Sequence, residues 1–564
     1  MKLIDDQLIS STVESKKKLG AFYTPNNLCQ ILADWAITSS EDKVLEPSFG
    51  QCGFLEASRL RLEGLGSTDP KKNIYGCDID PSAFDFLKKI LGEPIDEQKF
   101  ILEDFMKLWP NIHWKNNFNA SIGNPPYISS HNLSISDKQN YLSRWKKIGI
   151  QINNKASLWA HFLIHTTTFI APNGRLAWVL PGALLQADYA TNVRNYISMI
   201  FQDTICILME ERFFLQEGTE EETVILLAKD KTPQTNPQPI CFANAQNLDE
   251  LKYIIEQWDN HEWTGQYVTA RPAYLYSNSN SLKLYESINE YNHTKSLGDL
   301  IKISLGIVTG NNSFFVINEN TRKQYKINTC YIRNILPRIK QSKGLNYSIE
   351  DHNFAIKNNL PCHLIHTKKI RKNSPLIQYL NLLTEEDISN NKTFCKRNPW
   401  FAPDDGLNPD AFLSAMNHYG PKMVLNEANV TCTNTIYRAY FFNKNLSTFD
   451  KKLIAISLLT TFSQLSAEFT GRRYGSGVLK HEPSEMKKIK LLLPENIDHA
   501  LIVECFSQID LALRNDDHNK ATLLADELIL SELSKSEKLI LQKELSSIRL
   551  RRQRSRYLSG AQTS

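Results

Sequence analysis

Four strand-like segments in the first part of the chain each run into a residue able to do polar chemistry. "KVLEPSF" (43–49) carries Glu46, "NIYGCDID" (73–80) carries Asp78, "FILEDF" (100–105) carries Asp104, and "FNASIG" (118–123) stops at Asn124. Ligands of open α/β sheets bind beyond the carboxyl ends of the strands, so these positions draw notice first. A carboxylate at Asp78 can accept both hydroxyls of a ribose diol; a helix N-cap ahead of Pro81 is the competing use. Asp104 can accept from an amino group on a ring, with Phe105 against the ring face. After Glu46, a turn at Gly50 leads to Gly53 at a helix start, where backbone can approach a ligand closely. Ordinary turn chemistry explains one such turn equally well. Four successive strand ends of this kind are a stronger signal than any one of them.

The fourth end reads "GNPPY" (123–127). Proline has no N–H and fixes its own φ, so the ladder must end here. The first proline also restricts Asn124 to an extended or turn conformation. The product is a rigid corner with an amide before it and the Tyr127 ring after it.

The elements that position these groups alternate. Further strand candidates are "GRLAWVLP" (174–181), "TICILME" (204–210) and "ETVILLAK" (222–229), with helical stretches such as "PNNLCQILADWAI" and "PSAFDFLKKIL" between strands. This predicts an α/β, Rossmann-like fold with a doubly wound, mainly parallel sheet. The polar, proline-punctuated "KDKTPQTNPQP" (229–239) marks a boundary. The expected domains are 1–235, a connector at 236–300, a mixed α+β domain at 301–500, and a helical segment at 501–564 that contains the basic run "RLRRQRSR".

With 564 residues, 41% of them hydrophobic, the chain can form two or three cores. Its start lacks the apolar run of a signal peptide, and runs such as "TVILLA" are far too short for a membrane span. Ten cysteines occur without a CxxC pair, which fits free thiols in a reducing, intracellular setting. The net charge of +4 hides an asymmetry. Residues 1–300 hold 28 Lys and Arg against 36 Asp and Glu, whereas residues 301–564 hold 37 against 25. A basic second half suits a polyanion partner, or else a solvated basic face.

The motifs together resemble the S-adenosylmethionine-dependent DNA adenine-N6 methyltransferases, in the group whose cofactor motifs come first and target recognition domain last. The resemblance rests on "GAFYTP" (20–25), "LEPSFGQCGFL" (45–55), "GCDIDP" (76–81), "ILEDF" (101–105), "GNPPY" and "ERFFLQEGTEEETVILLAK" (211–229). It continues more loosely through "SLGIVTGNNSFFVI" (304–317) and "GRRYGSGVLKHEPSEMKKIKLLLP" (471–494). It implies that Thr24 and Glu46 hold the methionine end of the cofactor beside the Gly50 loop. Asp78 would take the ribose, Ile79 the adenine face, and Asp104 the adenine amino group beside Phe105. Asn124, Pro125, Pro126 and Tyr127 would form the target-base site, with Pro126 also counted among the cofactor-binding residues. Phe214 would stack on the flipped base, although strand alternation alone cannot choose between Phe213 and Phe214. One departure stands out. The family's first loop commonly reads Gly-x-Gly, whereas here Gly50-Gln51-Cys52 precedes Gly53.

The chemistry suits these residues. An exocyclic amine is a poor nucleophile because its lone pair is delocalised into the ring. The Asn124 oxygen and the Pro125 carbonyl offer two acceptors that would turn that lone pair outward and stabilise developing positive charge. The expected function is therefore methylation of adenine N6 in duplex DNA within a restriction–modification system, in the cytoplasm of a bacterial or archaeal cell. A separately encoded restriction endonuclease is a possible partner, and no membrane is one. The alternatives are an RNA adenine or protein glutamine methyltransferase using the same corner, or a non-catalytic DNA-binding subunit. Lys302, Arg333, Arg338, Lys340, Arg397, Arg472, Arg473 and Lys480 are candidate DNA contacts. "PDDG" and "EEDIS" do not make a nuclease motif. "PCHLIH" places Cys362, His363 and His366 together, but no second ligand pair has fitting spacing, so no metal is expected.

Overall fold

The alternating pattern folds into nine strands: β1 (Val44–Glu46), β2 (Ile74–Asp78), β3 (Phe100–Leu102), β4 (Phe118–Gly123), β5 (Ile170–Pro181), β6 (Phe201–Met209), β7 (Thr223–Lys231), β8 (Ile240–Ala245) and β9 (Gln266–Val268). The computed structural model describes residues 24–114, 118–210, 222–262, 266–268, 279–371, 373–473 and 477–560. The chain divides into two units, Met1–Tyr276 and Ser277–Ser564.

In the first unit the strands form one sheet in the order β3–β2–β1–β4–β5–β7–β6–β8–β9. Strands β1 to β5 pair in parallel. β7 enters antiparallel between β5 and β6. The chain leaves β1 toward β2 and β3, then returns to β4 on the other side of β1. Open parallel sheets bind ligands at such a switch point. Side chains alternate between two buried layers, as a sheet covered on both faces requires. Ala120, Ile122, Ala177 and Val179 join the core under helices Asn26–Ala36 and Gly53–Gly64. Leu176, Trp178 and Leu180 join the core under helix Leu158–Thr167.

The expected connector at 236–300 divides differently. β8 pairs in parallel with β6 and β9 pairs with β8, so the sheet runs on past residue 235. Helix Leu248–Asp259 buries Leu251, Ile254 and Trp258 in the same core as the first helices. The polar stretch after β7 is a loop within the unit, because the apolar segments beyond it complete the sheet.

The second unit is mixed α+β. One antiparallel sheet joins Ile301–Leu305, Ile436–Phe441, Ala411–Ser414 and Met423–Leu425. Another joins Val316–Ile317, His363–Ile365, Ile332–Leu336 and Thr431–Cys432. Helices His499–Arg514, His518–Ile529 and Lys535–Gly560 follow. Asp526 accepts the backbone N–H of Thr461 at 2.7 Å, and Arg552 donates to buried Glu468 at 2.7 and 3.1 Å. The last two helices are thus tied into the core of this unit. The acidic motifs here are structural. Asp404 pairs with Arg333 and Asp405 with Arg438, while Asp387 forms a capping box with Thr384. Among the described residues no single helix is long and apolar enough to cross a membrane.

One glycine sets the floor of the first unit's crevice. A Cβ on Gly76 in β2 would lie 2.8 Å from Cδ1 of Phe49. The Phe49 ring meets Phe84 and Phe100 edge-on at 5.2 and 6.3 Å. Gly76→Ala is expected to displace Phe49 and cost about 1–3 kcal/mol, as core overpacking does. A lowered urea midpoint with unchanged slope would report it.

Candidate active site

A cavity of about 500 Å³ opens at the carboxyl ends of β1 to β4. Thr24, Glu46, Gly50, Asp78, Ile79, Asp104, Phe105, Asn124 and Pro126 all line it. Pro125 and Tyr127 are not among its lining residues. Phe214, like Phe213, falls outside the described residues.

The loop after β1 is built by two left-handed residues. Gly50 has φ 45° and Cys52 has φ 66°. Cys52 takes the left-handed position ahead of the helix without being glycine, which costs about 1–2 kcal/mol. It is fully buried, and its N–H donates to Phe49 O at 2.6 Å. Gly53 then passes close to the preceding helix, where a Cβ would lie 3.3 Å from Cys29 Sγ. The departure from Gly-x-Gly therefore keeps the tight turn.

The turn is held by Asp78. Its Oδ2 accepts the Gly50 N–H and its Oδ1 the Asp80 N–H, both at 2.8 Å. Helix Ala83–Leu91 takes Ser82 at its N-cap, so Asp78 is not the cap. Burial pushes the Asp78 carboxyl up, while the two amide donors oppose the shift. Glu46 lies deeper, 3% exposed. Burial first, and the Asp78 charge second, push its carboxyl well above the usual range. Its Oε2 is buried without a hydrogen-bond partner among the described residues. Asp104 Oδ1 accepts the Met106 N–H at 2.9 Å, which orients its other oxygen. Ile79 is 62% exposed at the cavity edge. Phe105 is only 2% exposed, its ring packed on Phe162, His165 and Phe169.

The Asn-Pro-Pro-Tyr corner is braced from three elements. Asn124 Nδ2 donates to Thr24 Oγ1 at 3.2 Å, which points the amide oxygen the other way. Asn124 O accepts from Ser48 Oγ at 3.3 Å. The Tyr127 hydroxyl donates to Val179 O of β5 at 3.2 Å. Asp137 and Tyr141, which no strand-end motif marks, also line the cavity from helix Ile135–Lys147. Their i, i+4 spacing puts both on one face of that helix, a signal available in the sequence.

Two family descriptions match the chain: "N-6 DNA Methylase" over residues 4–262 and "Type II methyltransferase M.Eco57I, C-terminal domain" over residues 270–530. The chain is 25% identical over 494 residues to Type II methyltransferase M.AccI of Acinetobacter calcoaceticus, covering 86% of this chain and 87% of the relative. It is 21% identical over 500 residues to Type II methyltransferase M.XamI of Xanthomonas campestris pv. amaranthicola, covering 85% and 86%. The Type IIL restriction–modification enzyme MmeI, solved in complex with DNA, shares the fold with a TM-score of 0.52 and 11% identity, covering 98% of this chain and 77% of that one. Residues 4–262 belong to the N-6 DNA methylase family. The chain is an adenine-N6 DNA methyltransferase of the restriction–modification kind, which these matches favour over an RNA or protein methyltransferase.

Asp78→Asn tests the loop geometry. An amide offers one acceptor oxygen where the carboxylate offers two, so one of the Gly50 and Asp80 N–H groups loses its partner. Amide exchange at one of those two residues is expected to accelerate, with a stability cost of about 1–3 kcal/mol.

Proposed function

We propose that the cavity holds S-adenosylmethionine and that the Asn-Pro-Pro-Tyr corner presents the target adenine to it. The observation that carries this reading is the convergence of Thr24, Glu46, Asp78, Asp104 and Asn124 on one cavity at the switch point. The unpartnered Oε2 of Glu46 fits the cofactor's ammonium group. The remaining lone pairs of Asp78 fit the ribose hydroxyls, Ile79 the adenine face, and the outer oxygen of Asp104 the adenine amino group. When bound, the cofactor supplies an electrophilic methyl on a sulfonium.

The corner does the rest by positioning. The Asn124 side-chain oxygen and the Pro125 carbonyl accept the two N–H bonds of the target amine, turning its lone pair outward and stabilising positive charge on nitrogen. No strong base is needed, and in-line alignment provides most of the rate. An adenine inside a duplex must be flipped out to reach the corner. Tyr127 and Phe214 would stack on it, at about 1–3 kcal/mol per base.

The second unit supplies the duplex-binding surface in this reading. Several basic candidates already have internal partners there. Arg333 binds Asp404 and Asn408, Arg397 the carbonyls of Val308 and Thr309, Arg472 Glu485, and Lys480 Glu482. Lys302, Arg338 and Lys340 are exposed and suit phosphate contacts. A separately encoded nuclease would complete the restriction–modification pair.

Incubation with tritiated S-adenosylmethionine and duplex DNA of mixed sequence should place label in N6-methyladenine; label confined to RNA or protein would refute the assignment. In Asn124→Ala, cofactor affinity by calorimetry should stay within about twofold while transfer falls about 10²–10³-fold. Unchanged transfer would remove Asn124 from the mechanism.

Glu46 gives a pH signature. Its raised carboxyl is protonated in the free protein well above the ordinary carboxylate range. Binding an ammonium favours the ionised form, so cofactor binding should release a proton and tighten as pH rises toward neutrality. Calorimetry in buffers of different ionisation enthalpy reads that proton. Glu46→Gln should abolish the pH slope and weaken binding about 10–100-fold, the value of a charge-assisted hydrogen bond.

A further inference from the structure

Away from the cavity, three ligating side chains meet in the interior of the second unit. His352 comes from helix Ile349–Lys357, and Cys362 and His363 come from the start of strand His363–Ile365. One ligand atom from each lies within 4.8 Å of the others. The three side chains are 4, 0 and 4% exposed. His352 Nε2 and His363 Nδ1 are buried with no hydrogen-bond partner among the described residues.

Each ring is held instead by its far nitrogen. His363 Nε2 lies 3.1 Å from Glu319 Oε2, and His352 Nδ1 lies 3.2 Å from the Tyr347 hydroxyl. Glu319 is fixed and charge-paired by Arg322 through bonds of 2.8 and 2.7 Å. An ionised carboxylate only accepts, so His363 carries its proton on Nε2 and turns a lone pair inward. The inward nitrogens of two buried rings thus lie near the Cys362 thiol with no hydrogen-bond partner among the described residues, a costly arrangement unless a cation sits among them.

We propose that His352, Cys362 and His363 bind a zinc ion, with Glu319 and Tyr347 as positioning residues behind the rings. One thiolate and two imidazoles are a zinc donor set, and water completes the tetrahedron. A carboxylate behind a ligating histidine is the arrangement that sets its tautomer and orientation. Binding displaces the Cys362 proton to solvent. The ion would pin helix Ile349–Lys357 to strand His363–Ile365, which pairs with Ile332–Leu336 through Asn334. The sequence groups Cys362 and His363 with His366 and shows no second ligand pair of fitting spacing, so no metal is expected from it. The structure turns His366 away, its Nδ1 accepting the Asp404 N–H at 3.1 Å, and brings in His352 from the preceding helix.

The test uses the full chain, purified under reducing conditions without chelator, given zinc in slight excess and desalted. Mass spectrometry of the metal is expected to find about one zinc retained per chain. Cys362→Ser and His352→Ala should each retain at least about tenfold less. Cobalt(II) in place of zinc should give a near-ultraviolet thiolate charge-transfer band, which Cys362→Ser abolishes. The cobalt spectrum of the unmodified chain requires no variant to fold. Glu319→Gln should keep that band while weakening zinc binding about 10–100-fold. Zinc retention no greater than that of Cys362→Ser, or a cobalt spectrum without a thiolate band, overturns the site.

Discussion

Everything in the first unit depends on the crossover beside β1. The strands on either side of it run parallel, so all four carboxyl ends face one way. Their loops leave in opposite directions and cannot cover the gap. Leu45 of β1 pairs with Ser121 of β4, which brings the strand ends at Glu46 and Asn124 alongside one another. Cores on both faces fix those strands. A polar group at a strand end inherits that rigidity, which a flexible loop could not give.

The crevice treats its two carboxyls unequally. Asp78 is satisfied by backbone amides from two directions, whereas Glu46 is buried with one oxygen unanswered. Burial first, and the neighbouring Asp78 charge second, raise the Glu46 carboxyl.

Much of this was legible. Polar residues interrupting apolar runs marked the strand ends, and two prolines marked the corner. The left-handed Cys52 was hidden, because its residue type argues against the conformation that its neighbours impose. The true extent of the sheet was also hidden. β8 and β9 lie beyond a proline-rich loop that reads as a linker. Asp137 and Tyr141 were hidden because they sit on a helix and not at a strand end. The buried histidine of the second unit could not be matched to its partners, since only the packing of a helix on a sheet brings them together.

The arginines of the second unit show how composition and field can part company. The half-chain excess of positive charge suggests a strong attraction for a polyanion. Yet Arg514 is bound to Asp351 and Asp510, Arg438 to Asp405, and Arg552 to a buried glutamate. These guanidinium groups act as internal rivets, and their field is largely cancelled a few ångströms away. Long-range steering of an encounter then falls to exposed cations such as Lys302, Arg338 and Lys340. A partner approaching this unit would be gathered loosely at first and oriented only on contact.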